Sequence, residues 1–532
     1  MTKNAKMAAD KKELDDLVSA LGENRLSLRR PCMEGTRTTI LQNIENEIKN
    51  VDGHNVIWIR GSPGVGKSAL AASIVARLRE QGPHVISFRF DRTQSATITT
   101  DALWRVVALG FARLYPSVRQ NMLDIVQSDK IPDPFDIDGR FKFLIEMPLS
   151  TVNDVPREEL PVIVIDALDE CGGLRHDSFG KDDYKGLLRM LECWTQADYL
   201  KRFKLVVTSR PDDRITFPDS ISIYDIPSGQ GVTPEDSVSN DIRVFLKSRL
   251  DKMKMNPAWV AKTLDYLVPG AAGIFIWATT IANFLEDDPE VRFHTIKLRK
   301  GGDDKEEMED LYSLYTTVVR TSFGRISKQE VRGIISVMGA MIYAKQPLSD
   351  DVLVMLPGVK IGDFDVMRLI RTGLMSVIDS DAVLHFHHKS FEDYLLSTSF
   401  VQQLPELSAI QDQGLHERQL AVLCLKILVS SKLHFNMCSL ASSTIKNVDI
   451  SATVKSTIPP LTLYSSLFWA DHLVHIPPDE KLMKVVKFVM YEKLLFWIET
   501  MSILGKTYEV FLILKRALSW KVCLQIIFLL YI

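Results

Sequence analysis

The sequence predicts an α/β domain built on a parallel sheet, followed by a mostly helical remainder, and three observations carry that prediction. Three short apolar runs occur without polar alternation, VIWIR (56–60), LPVIVIDAL (160–168) and FKLVVTS (203–209), and HVISFRF (84–90) is a further strand. Unalternating strands separated by helical segments indicate a parallel sheet covered on both faces. A glycine-rich loop stands between the first run and an alanine-rich helix spanning Ser68 to Glu80. Beyond Pro227 the strand signals fade and helical spacing takes over.

The elements follow in order. Ile40, Leu41, Ile44 and Ile48 recur at helical spacing within Thr36 to Asn50, ahead of the first strand. A further helix is expected at Asp101 to Leu114, which completes an α/β domain at about 51–225. Asp241 to Leu250, Trp259 to Leu267, Gly273 to Leu285 and Leu311 to Ser322 also read as helices. They are followed by a mixed segment near 326–400 with a strand pair around Leu374 to Phe386, then a helical stretch from 401 onward. No internal repeat of about 20–50 residues marks a solenoid or propeller.

Composition narrows the function. The chain has 532 residues, of which 46% are hydrophobic and 25% charged, as in a packed globular protein. Lys and Arg number 64 against 67 Asp and Glu, a net charge of -3. That balance gives no basic excess for gripping nucleic acid. The six cysteines lie scattered without a Cys-x-x-Cys pair, the pattern of reduced thiols rather than a disulfide framework or zinc site. The polar N-terminus lacks a signal-peptide core. Val268 to Leu285 is interrupted by Pro269, Gly270 and Gly273, and Val522 to Ile532 falls short of the ~20 residues a membrane span needs. A soluble cytoplasmic protein with no membrane span is expected.

Three motifs carry chemistry. Gly61, Ser62, Pro63, Gly64, Val65, Gly66, Lys67 and Ser68 form G-x-x-x-x-G-K-[ST], with Ala69 continuing into the helix. Its glycines let successive N–H groups converge on phosphate oxygens, and the helix N-terminus adds positive potential. Lys67 is placed to reach the β- and γ-phosphates, and the Ser68 hydroxyl to ligate Mg2+. The second motif is the apolar strand ending in Asp166, followed by Asp169 and Glu170. A carboxylate at the C-terminal end of such a strand can hold a magnesium shell, and one in the next loop can orient water. The alternative is that these acids only cap the turn. In the third, FKLVVTS runs into Arg210 and Pro211. Arg210 then either senses a γ-phosphate or lies in a surface loop paired with Asp212 or Asp213.

Taken together, GSPGVGKS, DALDE and TSRP resemble a NACHT domain of the STAND class of P-loop ATPases, in the nephrocystin-type variant abundant in fungi. The resemblance extends to Cys32–Arg37 as an entry linker and Gly273–Ala278 as a lid helix. It also takes Asp310–Tyr312 as the segment before a winged helix and His388–Leu395 as the winged-helix signature. It implies an α/β P-loop NTPase sheet followed by helical lid, winged-helix and all-helical modules. The boundaries are 1–50 for a leader and linker helix, 51–225 for the nucleotide-binding domain, 226–325 for the lid, 326–400 for the winged-helix-like module and 401–532 for a C-terminal helical domain. It also implies Lys67 and Ser68 as phosphate and magnesium ligands and Asp166 as the magnesium-shell acid. Asp169 or Glu170 becomes the hydrolytic carboxylate, Arg210 the γ-phosphate sensor, and His388 a contact to the β-phosphate of the closed, ADP-bound form. Histidines 385, 387 and 388 could instead suggest a metal cluster, but 388 opposes the other two on a strand. An ordinary half-buried role for His388 is the plainer alternative.

By that resemblance the protein is a slowly hydrolysing switch using ATP/ADP and Mg2+, with ADP/ATP exchange controlling opening and self-association. The winged helix reads SFEDYLLS, too acidic for a grip on nucleic acid. A nucleotide-binding scaffold without turnover and a P-loop small-molecule kinase are the alternatives, the latter without a visible acceptor motif. Relatives of this kind carry effector domains ahead and WD, ankyrin or TPR repeats behind. Neither is read in this chain, which ends in the apolar CLQIIFLLYI, so a truncated gene model or natural fragment is expected.

Overall fold

The computed structural model describes residues 11–18, 21, 29–81, 85–91, 98–128, 132, 136–150, 152, 160–171, 178–211, 221–228, 232, 236–296, 308–324, 326–361, 364–379, 383–442, 444–445 and 447–520. Asp212, Asp213, most of the charged run after Leu298 and the final apolar run lie outside them. Contacts divide the chain into two compact units, Met1–Leu314 and Tyr315–Ile532.

The first unit is built on five parallel strands: β1 Val56–Arg60, β2 Val85–Arg89, β3 Val162–Asp166, β4 Leu205–Ser209 and β5 Ile221–Asp225, ordered β2-β3-β4-β1-β5. The absence of alternation in β3 and β4 has a direct cause, since every residue of both strands is buried. Alternate side chains enter two different cores. Trp58, Ile163, Ile165, Leu205 and Val207 join α3 (Thr100–Leu114) and α4 (Ser178–Gln196) on one face. Ile57, Ile59, Val162, Val164 and Val206 join α1 (Thr38–Lys49) and α2 (Lys67–Gln81) on the other. β5 was not among the expected strands. It is an edge strand with Ile223 exposed, so it lacks the unbroken apolar signature of its neighbours.

After the sheet come α5 (Ser237–Lys252), α6 (Pro257–Ala271) and α7 (Phe275–Leu285). Pro269 sits near the end of α6, and Ala272 and Gly273 follow in left-handed conformation. That turn separates α6 from α7, between the expected helices Trp259 to Leu267 and Gly273 to Leu285. The boundary between the units falls inside α8 (Glu309–Phe323).

In the second unit, α9 (Lys328–Tyr343) begins with a capping box between Ser327 and Glu330. The expected strand pair is β6 (Ile378–Asp379) against β7 (His385–Phe386), antiparallel, leading into α10 (Lys389–Leu395). Farther on, α11 (Gln413–Val429) packs along α12 (Pro460–Leu473). Among the described residues no helix is long and apolar enough to cross a membrane.

Candidate nucleotide-binding site

The C-terminal ends of β1, β3 and β4 lie side by side because β4 is inserted between the other two. This brings three sequence-distant motifs to one sheet edge, where ligands of open α/β sheets bind. The loop Gly61–Gly66 leaves β1 and turns directly into α2. Gly64 and Gly66 have φ of 85° and 100°, values that suit glycine. A Cβ on Gly64 would come within 2.1 Å of Ile276, whereas one on Gly66 would meet nothing within 4 Å. One glycine is therefore required by packing under the start of α7, and the other keeps an open cradle open. The Ile276 N–H donates to the Gly64 carbonyl at 3.0 Å, so α7 is fastened to the loop itself.

Lys67 folds back on this loop, donating to the Gly61 and Ser62 carbonyls at 2.7 and 3.0 Å. Burial pushes its ammonium down to about 8; Asp169 gives the strongest opposing pull and Arg210 adds to the fall. Ser68 and Ala69 occupy the first turn of α2.

Asp166 ends β3 and is fully buried. Its Oδ1 accepts from the Thr208 hydroxyl at 2.6 Å, while Oδ2 is buried without a hydrogen-bond partner. The Thr208 oxygen also accepts from the Ala167 N–H at 2.9 Å, and Ala167 takes left-handed φ of 59°. Thr208 thus fixes both the carboxylate and the turn leaving β3. Asp169 and Glu170 lie in the short 3-10 turn Leu168–Glu170. Arg210 meets Asp169 twice, through its N–H to Oδ1 and its Nε to Oδ2, both at 3.2 Å. Of the partners expected for a surface-loop Arg210, Asp212 and Asp213 lie outside the described residues; the partner found is Asp169.

A metal and a phosphate chain fit what is present. The buried, unpartnered Asp166 Oδ2 suits a hydrated cation's shell, as carboxylate oxygen suits Mg2+. The empty space beside Gly66 and the Lys67 ammonium suit phosphate oxygens.

His388 belongs to the second unit. It caps α10, with Nδ1 accepting from the Ser390 N–H at 3.1 Å. That bond puts the proton of the neutral ring on Nε2. Ser390 in turn hydrogen-bonds Tyr315 at 2.7 Å.

Two residues of the nucleotide-binding unit carry more than sequence reading gave them. Thr208 stood unremarked inside its strand motif. Arg37, in the linker motif, is buried with φ of 57°; its Nη2 donates to the Val65 carbonyl at 2.7 Å and its N–H to Asp241 at 3.1 Å. Its guanidinium also lies 4.9 Å from the Phe275 ring centroid. The Gly-Thr-Arg sequence, where a left-handed bend precedes a helix, was the available signal.

The sheet order, the loop and the acidic strand end together define a P-loop NTPase fold. Residues 35–210 match the family model described as Nephrocystin 3, N-terminal. Vegetative incompatibility protein HET-E-1 of Podospora anserina is 24% identical over 513 residues, covering 87% of this chain and 34% of that protein. The chain thus spans about a third of the length of that relative. Among solved structures, a signal transduction ATPase with numerous domains (STAND) and a tetratricopeptide repeat sensor from Pyrococcus horikoshii aligns with a TM-score of 0.38 and 15% identity, covering 92% of this chain and 64% of that one. Drosophila ORC bound to DNA aligns with a TM-score of 0.29 and 14% identity, covering 72% and 91%. Neither structural likeness adds to the reading of the site. The matched family segment is the part of the nucleotide-binding unit that carries the phosphate loop, the acidic strand end and Arg210.

Proposed function

We propose that the chain is an ATP- and ADP-binding signalling switch of low turnover, in which exchange of ADP for ATP controls opening and self-association. The observation that carries the catalytic half is the buried Asp166 carboxylate. It has one oxygen held by Thr208 and the other unpartnered, at the sheet edge that carries the phosphate loop. A fully buried carboxylate oxygen without a partner costs stability, and such a cost is retained where the group has work to do.

In this reading the loop N–H groups and Lys67 hold the phosphates. Lys67 gives up its two carbonyl contacts in exchange for charged oxygens, a stronger class of hydrogen bond. Mg2+, held from Ser68 and Asp166, neutralises phosphate charge when bound. Asp169 or Glu170 orients the attacking water and Arg210 reads the γ-phosphate. The fastening of α7 to the loop through Gly64 and Ile276 supports a lid role for 226–325. The winged-helix role of 326–400 and the β-phosphate contact of His388 rest on the family resemblance alone.

Lys67→Ala should lower ATP affinity at least about 100-fold, because neutral N–H donors do not replace a charge-assisted contact. Titration calorimetry with Mg-ATP checks this, and wild-type affinity in the variant would sink the site. A phosphate-release assay with and without small-molecule acceptors distinguishes slow hydrolysis from transfer and from binding without turnover. His388→Ala should speed ADP release if that contact exists, read as the off-rate of a fluorescent ADP.

A further inference from the structure

We propose that Asp169 is the stored counter-ion of Arg210 and not the acid that acts on water, so that Asp169 and an incoming γ-phosphate compete for one guanidinium. The inference rests on the P-loop reading above and deepens it. Both Asp169 oxygens are engaged by the same residue: Oδ1 by the Arg210 amide and Oδ2 by its Nε, each at 3.2 Å. A carboxylate held at both oxygens by a backbone N–H and a cation is fixed in orientation toward Arg210, so it is poorly placed to turn to a water. The side chains of Arg210 and Asp169 are 27% and 18% exposed, so an anion at the loop can reach the pair.

The backbone half of the contact does not depend on the guanidinium. When a triphosphate arrives, the Arg210 side chain can leave Asp169 while the amide bond keeps the two strand ends together. Thr208 supplies a second tie between the same strands through Asp166 and Ala167. The strand ends are therefore fixed twice without the ion pair, and the pair is available to respond to charge. ADP lacks the third phosphate and leaves Arg210 with Asp169. The pair thus discriminates triphosphate from diphosphate by charge competition.

Asp169→Asn keeps the side-chain oxygen that accepts from the Arg210 amide but removes the competing charge. Titration of Mg-ATP and Mg-ADP into the full chain should show ATP binding tightened about fivefold, with ADP changed less than twofold. That gain is the order of one partly exposed ion pair. In an Arg210→Gln background the same substitution should leave the ATP-to-ADP affinity ratio where it is. Equal tightening for ATP and ADP would overturn the proposal, because net charge alone would then explain it. Loss of single-turnover hydrolysis in Asp169→Asn at wild-type ATP affinity would also overturn it, by making Asp169 the water acid. Lys67→Ala and Glu170→Gln run alongside as controls. If Lys67→Ala binds nucleotide like wild type, the P-loop reading itself has failed. If Lys67→Ala loses binding and the ratio does not move in Asp169→Asn, only the stored-counter-ion proposal has failed.

Discussion

Each unit buries a carboxylate completely, and the two are treated in opposite ways. In the first, Asp166 has one oxygen on Thr208 and the other on nothing. In the second, Glu417 on α11 has both oxygens occupied. Lys345 donates to Oε1 at 2.9 Å and His472 Nδ1 to Oε2 at 2.5 Å. The chain of bonds continues: His472 Nε2 accepts from the Tyr464 hydroxyl at 2.8 Å, and that oxygen accepts the Lys345 N–H at 3.1 Å. A Glu, His, Tyr and Lys so close could be taken for a catalytic cluster. Glu417, His472 and Tyr464 are nevertheless buried, and both Glu417 oxygens, the His472 nitrogens and the Tyr464 hydroxyl each have a partner within the ring. A closed polar ring holds helices together, whereas an open one waits for a ligand.

If that distinction is sound, Glu417→Gln should be the most damaging change for stability. It leaves the Lys345 ammonium without its counter-charge, and breaking a buried pair costs about 3–5 kcal/mol. The melting temperature should fall equally with and without Mg-ATP. A fall that nucleotide reverses would mean that the ring communicates with a ligand. Next in size, Thr208→Val should cost about 2 kcal/mol. Valine fits a strand as well as threonine, so the loss isolates two hydrogen bonds, one to Asp166 and one from Ala167. Unlike Glu417→Gln, it should also weaken Mg-dependent ATP binding about tenfold by freeing the Asp166 side chain.

Acid should separate the units by a smaller margin. Burial holds His472, His416 and His475 below their ordinary range, and His472 and Lys345 hold Glu417 down to about 2. The unfolded chain takes up those histidine protons near pH 6.5, whereas the folded unit resists them. Stability of the second unit therefore declines as pH falls below about 6.5, and again between about 4.5 and 2 for Glu417. The slope is at most about 1.4 kcal/mol per pH unit for each group. Denaturant titrations at pH 7.5, 6 and 5, followed by hydrogen exchange on α11 and α12, measure it. Flat stability over that range would place charged histidines in the folded second unit.

What the sequence disclosed follows from which interactions are local. β1, β3 and β4 were legible because a strand buried on both faces has few polar positions to hide it, and β2, an edge strand, because Val85, Ile86, Phe88 and Phe90 crowd one short run. The phosphate loop was legible because its chemistry lies within eight consecutive residues. β5 was not, since an edge strand alternates and Ile221–Asp225 holds only two apolar positions on one parity. Thr208 could not be assigned a role from sequence because its partners lie about 40 residues away and meet it only when β4 enters between β1 and β3. The Glu417 ring was invisible for the same reason, assembled from α11, α12 and the bend that follows α9. Arg210 was recognised as a strand-end cation, but its partner was sought downstream in the loop instead of across the sheet at Asp169.

The smallest expected change in stability is also the sharpest test of the contrast. Asp166→Asn keeps the carbonyl oxygen that accepts from Thr208 and replaces the unpartnered Oδ2 by an amide. The new NH2 is itself without partners, which costs about 1–3 kcal/mol. Against this, a buried negative charge without a direct counter-ion is removed, which returns a comparable amount. The net change in melting free energy should therefore lie within about 1 kcal/mol of zero, far from the loss expected for Glu417→Gln. Mg-dependent ATP affinity should nonetheless fall about 10- to 100-fold, while binding measured in EDTA stays near wild type. A destabilisation as large as that of Glu417→Gln would make Asp166 a brace like Glu417 and erase the difference between the two sites. Unaltered magnesium dependence would instead move the metal shell to another acid of the β3 turn.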